Sequence, residues 1–429
     1  MYALIGAGPM GLAMARNLSK AGVPFIGFEI HSDVGGLWDI DSPTSTMYHS
    51  AHLISSRSKT EFAEFPMPAG TALYPSHRAM RDYFRDYARE FDLYRHYEFS
   101  TEVLLVVEDG ADYLVTTQHQ DEAPQTRRFR GVLIANGTLH CPNRITLPAP
   151  FDGELLHSAD YKHPDIFRDK RVLVIGCGNS GADIAVEAVH HAASVDILVR
   201  RGYYFLPKFL FGRPIDTLGG ALPLPRRWKQ TLDSWLIRAA VGKPSDYGLP
   251  DPDYRLYESH PVINSLLLHH LGHGDVRVRP ALTAVDGRTL TFANGERADY
   301  DLILTATGYR LNYPFLTPGL LDWDGHGAPQ LFLNVFPAQR DNLLVLGMVE
   351  AAGLGWEGRN QQAQLVARYL VHQQRNSAAY QAFNRTKGAR AGRRLDGGYD
   401  YLPLERMAYY VSKQAYLSAL AHHSRQLAL

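Results

Sequence analysis

Residues 2–12 read Tyr-Ala-Leu-Ile-Gly-Ala-Gly-Pro-Met-Gly-Leu, and this stretch decides the fold class. An apolar segment typical of a buried strand runs directly into a GxGxxG turn, and the apolar spacing of a helix follows. The first glycine permits a tight turn, the second lets backbone approach a pyrophosphate, and the third lets helix and strand pack closely. The stretch therefore predicts a dinucleotide-binding unit. Its candidate cofactor contacts are Gly6, Gly8, Pro9, Met10 and Gly11.

A second apolar strand, residues 24–28, ends at Glu29, at the distance that the dinucleotide fingerprint requires. A carboxylate at this point can accept hydrogen bonds from both ribose hydroxyls, and it would repel a 2′-phosphate. This first unit is therefore expected to hold FAD or NAD and not NADP.

The same pattern occurs again at residues 171–188, where an apolar strand enters Gly-Cys-Gly-Asn-Ser-Gly at 176–181. The strand that follows ends in Arg200-Arg201, where the first unit has Glu29. Two guanidinium groups favour a 2′-phosphate by charge and geometry, so NADPH is expected here, unless the two arginines are only a solvated pair at a strand end. The candidate NADPH contacts are Gly176, Gly178, Asn179, Ser180, Gly181, Arg200 and Arg201.

Composition excludes some classes of protein. The 429 residues are 45% hydrophobic and 21% charged, as in ordinary globular proteins, and they suffice for two or three domains. Lys and Arg number 44, as do Asp and Glu, so no net field favours nucleic acid or an anionic membrane. No apolar run reaches the roughly 18 to 20 residues that a membrane span needs.

The cysteine count predicts the compartment. Cys141 and Cys177 are the only two cysteines, and the chain starts with a strand pattern instead of a signal segment. Together these observations predict a cytoplasmic protein without structural disulfides. The C-terminal segment 402–429 is predicted to be an amphipathic helix that packs on the body or on a second subunit of a homodimer.

The segment between the two units carries a family fingerprint. Residues 151–161 read Phe-Asp-Gly-Glu-Leu-Leu-His-Ser-Ala-Asp-Tyr. This FxGxxxHSxxY pattern resembles the fingerprint of the flavin-containing monooxygenases, which are class B flavoprotein monooxygenases. The resemblance covers nearly the whole chain, apart from an irregular segment at 202–257 and the last helices. The irregular segment is expected to line a substrate entrance or to form a membrane-skimming or dimer surface.

The order of elements and the resemblance predict an α/β fold with two Rossmann-like domains, in which the NADPH domain is inserted into a split FAD domain. The FAD domain is expected to cover residues 1–165 and 290–429, and the NADPH domain residues 166–289. The resemblance also implies further FAD contacts, among which Trp38 is either a contact or a core anchor. These candidates are Gly36, Leu37, Trp38, Val103, Thr307, Gly308 and Gln362.

Two residues are candidates for a part in catalysis. Members of the family carry Asn-x-x-Lys with the asparagine beside the flavin, whereas residues 56–59 here read Ser-Arg-Ser-Lys. Either Ser56 takes the place of that asparagine by hydrogen bonding, or the oxygen chemistry is arranged differently. His157 is expected to hydrogen-bond the backbone and couple domain position to nicotinamide binding, a role favoured over acid–base catalysis.

The resemblance implies an FAD-dependent monooxygenase that uses NADPH and dioxygen. It would oxygenate a small soft nucleophile, an amine nitrogen or a thioether sulfur, through a flavin hydroperoxide. One alternative is a Baeyer–Villiger ketone monooxygenase, although those enzymes carry tryptophan where this chain has Tyr161. Another is an FAD-dependent NADPH reductase, whose disulfide version needs a cysteine pair that Cys141 and Cys177 do not form. No metal site is expected from the spacing of the 19 histidines.

Overall fold

The structure is a computed structural model that describes residues 1–218, 225–323, 325 and 327–428. The chain folds into two compact units. Unit 1 comprises Met1–Ser45, Arg57–Cys141 and Arg310–Leu429, and unit 2 comprises Thr46–Ser56 and Pro142–Tyr309. Residues 219–224 of the irregular segment lie outside the described part of the chain.

Helices such as α1 and α3 follow the apolar periodicity of the sequence. In chain order they are α1 (Pro9–Ala21), α2 (Arg57–Thr60), α3 (His77–Glu90), α4 (Asn179–Val189), α5 (Arg226–Val241), α6 (Leu266–His273), α7 (Gly355–Gln374), α8 (Ala378–Arg390) and α9 (Lys413–Gln426). Within the described ranges, no helix combines the length and the apolar character that crossing a bilayer requires.

The strands are mostly short. In chain order they are β1 (Tyr2–Ile5), β2 (Phe25–Phe28), β3 (Tyr97–Glu98), β4 (Thr101–Asp109), β5 (Asp112–His119), β6 (Gln125–Phe129), β7 (Gly131–Ile134), β8 (Cys141–Pro142), β9 (Glu154–His157), β10 (Arg171–Ile175), β11 (Ser194–Leu198), β12 (Phe209–Leu210), β13 (Arg213–Pro214), β14 (Val276–Arg279), β15 (Leu282–Asp286), β16 (Thr289–Phe292), β17 (Arg297–Asp299), β18 (Leu302–Thr305), β19 (Tyr309–Arg310), β20 (Leu331–Phe332), β21 (Phe336–Pro337) and β22 (Leu343–Val345).

Unit 1 is built on a five-stranded parallel sheet in the order β22-β7-β1-β2-β3. The strands β1, β7 and β22 are apolar and buried, as expected for a parallel sheet with both faces covered. A three-stranded antiparallel sheet, β4-β5-β6, adds side chains to the same core. The C-terminal helix α9 packs on α7 within this unit and buries Tyr416 and Leu420, which is the first of the two predicted placements, on the body or on a second subunit.

Unit 2 has a second five-stranded parallel sheet, in the order β14-β11-β10-β18-β9. In both sheets the strand that enters the glycine turn, β1 or β10, is central, and this order is typical of dinucleotide-binding folds. The predicted α/β class is confirmed. Residues 290–309 were expected in the first domain, but β18 pairs with β10 and these residues belong to unit 2.

The start of α7 differs from its expected place. The sequence predicts that this helix begins near Gln361, whereas the structure starts it at Gly355. Gly353 and Gly355 both have positive φ, and the sequence Gly-Leu-Gly at 353–355 is typical of a turn. Tertiary packing determines the earlier start, because the ring of Trp356 in the first turn lies edge-on against Phe84, with ring centroids 5.4 Å apart.

Replacing Gly11 tests the close approach on which the first turn depends. A Cβ atom on Gly11 would lie 1.9 Å from the carbonyl oxygen of Gly6, and no side-chain rotation can relieve that clash. We expect Gly11→Ala to lower the free energy of unfolding by about 3 kcal/mol or more. In the control Gly388→Ala, in α8, the new Cβ meets no atom within 4 Å, and a gain of up to about 1 kcal/mol is expected. Denaturant unfolding measures both, and equal effects would contradict the prediction.

Candidate functional site

The first glycine turn forms a surface of bare backbone in unit 1. Gly6 has φ +103°, a conformation that favours glycine, and Pro9 is the first residue of α1. A Cβ on Gly36 would lie 3.0 Å from the Cα of Gly8, so the turn and the loop around Gly36 approach each other without intervening side chains. Free N–H groups at the start of α1 adjoin this surface. A diphosphate fits such a cradle.

Glu29 follows β2 beside the turn and is 4% exposed. Its Oε2 accepts the N–H of Ala7 at 2.5 Å and its Oε1 accepts the N–H of His31 at 3.0 Å. Burial raises the pKa of the Glu29 carboxyl, while these backbone donors act in the opposite direction. The two bonds fix the carboxylate's orientation and leave lone pairs that can accept ribose hydroxyls.

Arg85 on α3 is a residue that the sequence did not indicate. Its Nε lies 2.8 Å from Oδ2 of Asp33, and its Nη2 lies 2.7 Å from Oδ2 of Asp39. The two carboxylates flank the short helical turn Gly36–Trp38, which contains three of the predicted FAD contacts. One guanidinium therefore holds both ends of this loop. A lone arginine in a helix gives no sequence signal of this kind.

The other predicted FAD contacts lie in different surroundings. Val103 is buried in β4. Gln362 is fully buried, its Oε1 accepts the N–H of Gly347 at 2.8 Å, and its Nε2 donates to the hydroxyl of Tyr416 at 2.5 Å. Its amide therefore stabilises the protein interior, and a flavin contact through this side chain stays a prediction.

The second glycine turn repeats the first within unit 2. Gly176 has φ +107°, and a Cβ on Gly181 would lie 2.0 Å from the carbonyl oxygen of Gly176. A Cβ atom added to Gly178 would meet no atom within 4 Å, so that face of the turn is open. Asn179 holds a neighbouring loop, because its Oδ1 accepts the N–H of Ile263 at 2.7 Å. Ser180, the remaining predicted contact in the turn, is half-buried in the first turn of α4.

The two arginines after β11 differ in their surroundings. Arg201 forms an ion pair with Asp253, with Nε and Oδ1 2.6 Å apart, and its guanidinium lies 5.4 Å from the ring centroid of Tyr254. Arg200 is exposed, and no described residue forms an ion pair with it. Of the two, Arg200 is the guanidinium that can meet a 2′-phosphate without first giving up a carboxylate.

The fingerprint stretch and its surroundings are bonded to two acidic residues on α4. Tyr161 is 1% exposed, and its hydroxyl donates to Oε2 of Glu187 at 2.6 Å. Asp183, one turn earlier on the same face, accepts the side-chain N–H of Asn264 at 2.6 Å, and burial raises the pKa of its carboxyl. The two acids are four residues apart on one helix, which is a sequence signal that the prediction missed.

His157 is fully buried within the same stretch. Its Nδ1 accepts the N–H of Ala159 at 3.1 Å, and its ring stands edge-on to Tyr309, with ring centroids 5.5 Å apart. Burial lowers the pKa of the imidazole, and the nearby Arg144 lowers it further. The neutral ring therefore supports the turn after β9, while its predicted influence on nicotinamide binding stays a prediction.

Thr307 and Gly308 follow β18 and belong to unit 2. The Thr307 hydroxyl donates to the carbonyl oxygen of Asn143 at 2.6 Å, and the Gly308 carbonyl accepts the N–H of Asn143 at 2.8 Å. Their role as FAD contacts stays a prediction. In the described residues, no three His, Cys, Asp or Glu side chains are grouped in a way that could hold a metal ion.

Fold and site together define a flavoprotein with two dinucleotide-binding units. Comparison with known proteins agrees with that class. The family model described as flavin-binding monooxygenase-like matches residues 1–383. Flavin-containing monooxygenase 1 of Homo sapiens is 32% identical in an alignment of 380 residues, and the match covers 82% of this chain and 70% of that protein. The chain belongs to the flavin-binding monooxygenase-like family.

Solved structures share the fold at low sequence identity. S-allyl-L-cysteine S-oxygenase from Allium sativum is 20% identical with a TM-score of 0.68, and the match covers 98% of this chain and 88% of that one. An open structure of cyclohexanone monooxygenase is 18% identical with a TM-score of 0.74, covering 99% and 97%. The protein is thus an oxidoreductase, a monooxygenase that uses FAD, NADPH, dioxygen and a small-molecule substrate, as predicted.

Replacing Arg85 tests its part in holding FAD. Without its two ion pairs the loop around Gly36 is free to leave the glycine turn, so we expect Arg85→Ala to raise the Kd for FAD roughly tenfold, or about 1.4 kcal/mol. Titration of the apoprotein with FAD, followed by flavin fluorescence, measures this. The control is Arg81→Ala on the same helix, whose closest ion pair is with its neighbour Asp82. An equal effect of the two substitutions would rule out the proposed role.

Proposed function

We propose that this monooxygenase oxygenates the nitrogen of an amine or the sulfur of a thioether in a small molecule. The observation that carries the proposal is the family match over residues 1–383, together with the intact fingerprint at residues 151–161. The relative of 32% identity is named as a flavin-containing monooxygenase, whereas the Baeyer–Villiger-type neighbour shares 18% identity and so shows the fold alone. Tyr161 stands where the Baeyer–Villiger enzymes carry tryptophan. A second function receives no comparable support.

Unit 1 is proposed to bind FAD. The cradle of Gly6, Gly8, Gly11 and Gly36 would take the diphosphate, and the carboxylate of Glu29 would take the ribose hydroxyls. Bound FAD, once reduced by NADPH, supplies the activation of dioxygen. The residues of the chain bind it, orient it and keep water from the reacting atoms.

Unit 2 is proposed to bind NADPH. The open face around Gly178 would take the diphosphate at the start of α4, and Arg200 would take the 2′-phosphate. Glu29 occupies the equivalent point of unit 1, where its charge would repel that phosphate. The opposite charges at these two strand ends would direct each cofactor to its own unit.

We also propose a cytoplasmic location and a homodimeric assembly. Cys141 and Cys177 are free thiols in the structure, which is consistent with a cytoplasmic protein. A homodimer stays a prediction, and analytical ultracentrifugation of the FAD-loaded protein would determine the oligomeric state.

A substrate panel tests the proposed reaction. We expect a thioether such as methyl p-tolyl sulfide and an amine such as N,N-dimethylaniline to give sulfoxide and N-oxide, with one NADPH consumed per product. Cyclohexanone should be converted at least about tenfold more slowly. Chromatography of the products with parallel NADPH and peroxide assays checks this. Faster lactone formation would favour a Baeyer–Villiger enzyme, and NADPH oxidation without any oxygenated product would favour a reductase.

Replacing Arg200 tests the choice of nucleotide. Loss of a charge-assisted bond to the 2′-phosphate should raise the KM for NADPH at least about tenfold in Arg200→Ala and leave the KM for NADH within twofold. Arg201→Ala is the matched comparison and should have the smaller effect, because Asp253 already neutralises that guanidinium. If neither substitution changes the KM for NADPH, the arginines do not bind the phosphate.

A further inference from the structure

Residues Thr46–Ser56, called the strap below, belong to unit 2 although residues of unit 1 precede and follow them in the chain. Lys162 holds the first part of the strap, since its Nζ donates to the carbonyl of Met47 and its own carbonyl accepts the N–H of His49, both at 3.0 Å. Ser50 donates to Oε2 of Glu187 at 2.6 Å. The strap is thus fixed to the body of unit 2 by several bonds.

The end of the strap is fixed by a residue of the irregular segment. Ser56 is 1% exposed, and its backbone N–H donates to Oδ2 of Asp216 at 2.6 Å. The two residues are 160 positions apart in the chain. A carboxylate that accepts a backbone N–H in a partly buried setting makes a short, charge-assisted bond that restrains the amide.

The segment that carries Asp216 is itself braced. The N–H of Ile215 donates to the carbonyl of Lys208 at 3.0 Å, which closes the β12–β13 hairpin. The hydroxyl of Thr217 donates to the carbonyl of Pro214 at 2.7 Å. Asp216 therefore reaches Ser56 from a supported turn.

The residues that follow Ser56 form α2, which packs within unit 1. The N–H of Arg57 donates to the carbonyl of Leu73 at 2.9 Å. A Cβ atom added to Gly355 would lie only 2.2 Å from the carbonyl oxygen of Lys59. The backbone of α2 is therefore in contact with the first residue of α7. α7 also carries Gln362, an FAD contact that the family resemblance implies, and Ser56 is joined to α2 by a peptide bond.

We propose that Asp216 is a positioning residue for the oxygenation step, which fixes the amide of Ser56 and thereby the start of α2. The irregular segment, expected from sequence to line an entrance or to form a surface, would thus act on that step through its bond to Ser56. This inference rests on the proposed function and on the first of the two alternatives for Ser56, in which it takes the place of the family's asparagine beside the flavin. In this role Asp216 must supply a hydrogen-bond acceptor to the N–H of Ser56, and the negative charge of its carboxylate strengthens that bond.

Amide hydrogen exchange tests the bond without reference to activity. In the FAD-loaded protein, Asp216→Ala should speed exchange at Ser56 at least about tenfold, read from overlapping peptides that cover residues 53–60. Asp216→Asn should restore slow exchange, because its side-chain carbonyl can accept the same N–H. The control is Asp233→Ala, since Asp233 in the same irregular segment bonds to Lys229 and Tyr257 instead. Unchanged exchange in Asp216→Ala would overturn the proposal.

Coupling of NADPH oxidation to oxygenation tests the role in the reaction. With a thioether substrate, Asp216→Ala should raise the share of NADPH lost as hydrogen peroxide at least about threefold. Anaerobic reduction of the flavin by NADPH should stay within twofold of wild type, and Asp216→Asn should restore coupling. Faster exchange with unchanged coupling would overturn the positioning role, as would an Asn variant that behaves like the Ala variant. If the wild type forms no oxygenated product, the proposed function fails, while exchange still decides whether Asp216 holds Ser56.

Discussion

A backbone approach too close for any side chain underlies both dinucleotide units. The helix after each turn comes so near the strand that a Cβ on Gly11 or Gly181 would lie about 2 Å from the carbonyl oxygen of the turn's first glycine. Because of this close approach, the helix N-terminus lies directly over the end of the central strand, where N–H groups can meet a diphosphate. In each unit this approach lies at the central strand of the sheet. The open glycine face and one charged strand end, at Glu29 or Arg200, lie beside it.

The fingerprint has a structural meaning that its sequence pattern does not reveal. Its Tyr161 and Ser50 of the strap both donate to the same carboxylate, that of Glu187. Its His157 accepts the N–H of Ala159 and so supports the turn that leads to Tyr161. The pattern therefore marks the place where the strap is fixed to the rest of unit 2. The phenol of Tyr161, the hydroxyl of Ser50 and the carboxylate of Glu187 satisfy one another there, and leaving the buried phenol unpaired would be costly.

Charge distinguishes the two units more than shape does. The glycine turns are nearly equivalent, but Glu29 is buried and held by backbone N–H groups, whereas Arg200 is exposed. A buried, oriented carboxylate suits neutral hydroxyls, and an exposed guanidinium suits a doubly charged phosphate. The neighbouring Arg201 looks equivalent in sequence, yet its guanidinium forms an ion pair with Asp253.

The sequence by itself determined the class of fold, the family and the cofactors, because the evidence for them is local. Strand, turn and helix follow one another within about a dozen residues, and the ligand is met mainly by backbone. Only the tertiary structure decided that the strap belongs to unit 2, that β18 pairs with β10 and that α7 starts at Gly355. It also supplied Arg85, Glu187 and Asp216. These features depend on interactions between residues far apart in the chain, such as Ser56 and Asp216 at a separation of 160 positions, and periodicity within a short window contains no information about them.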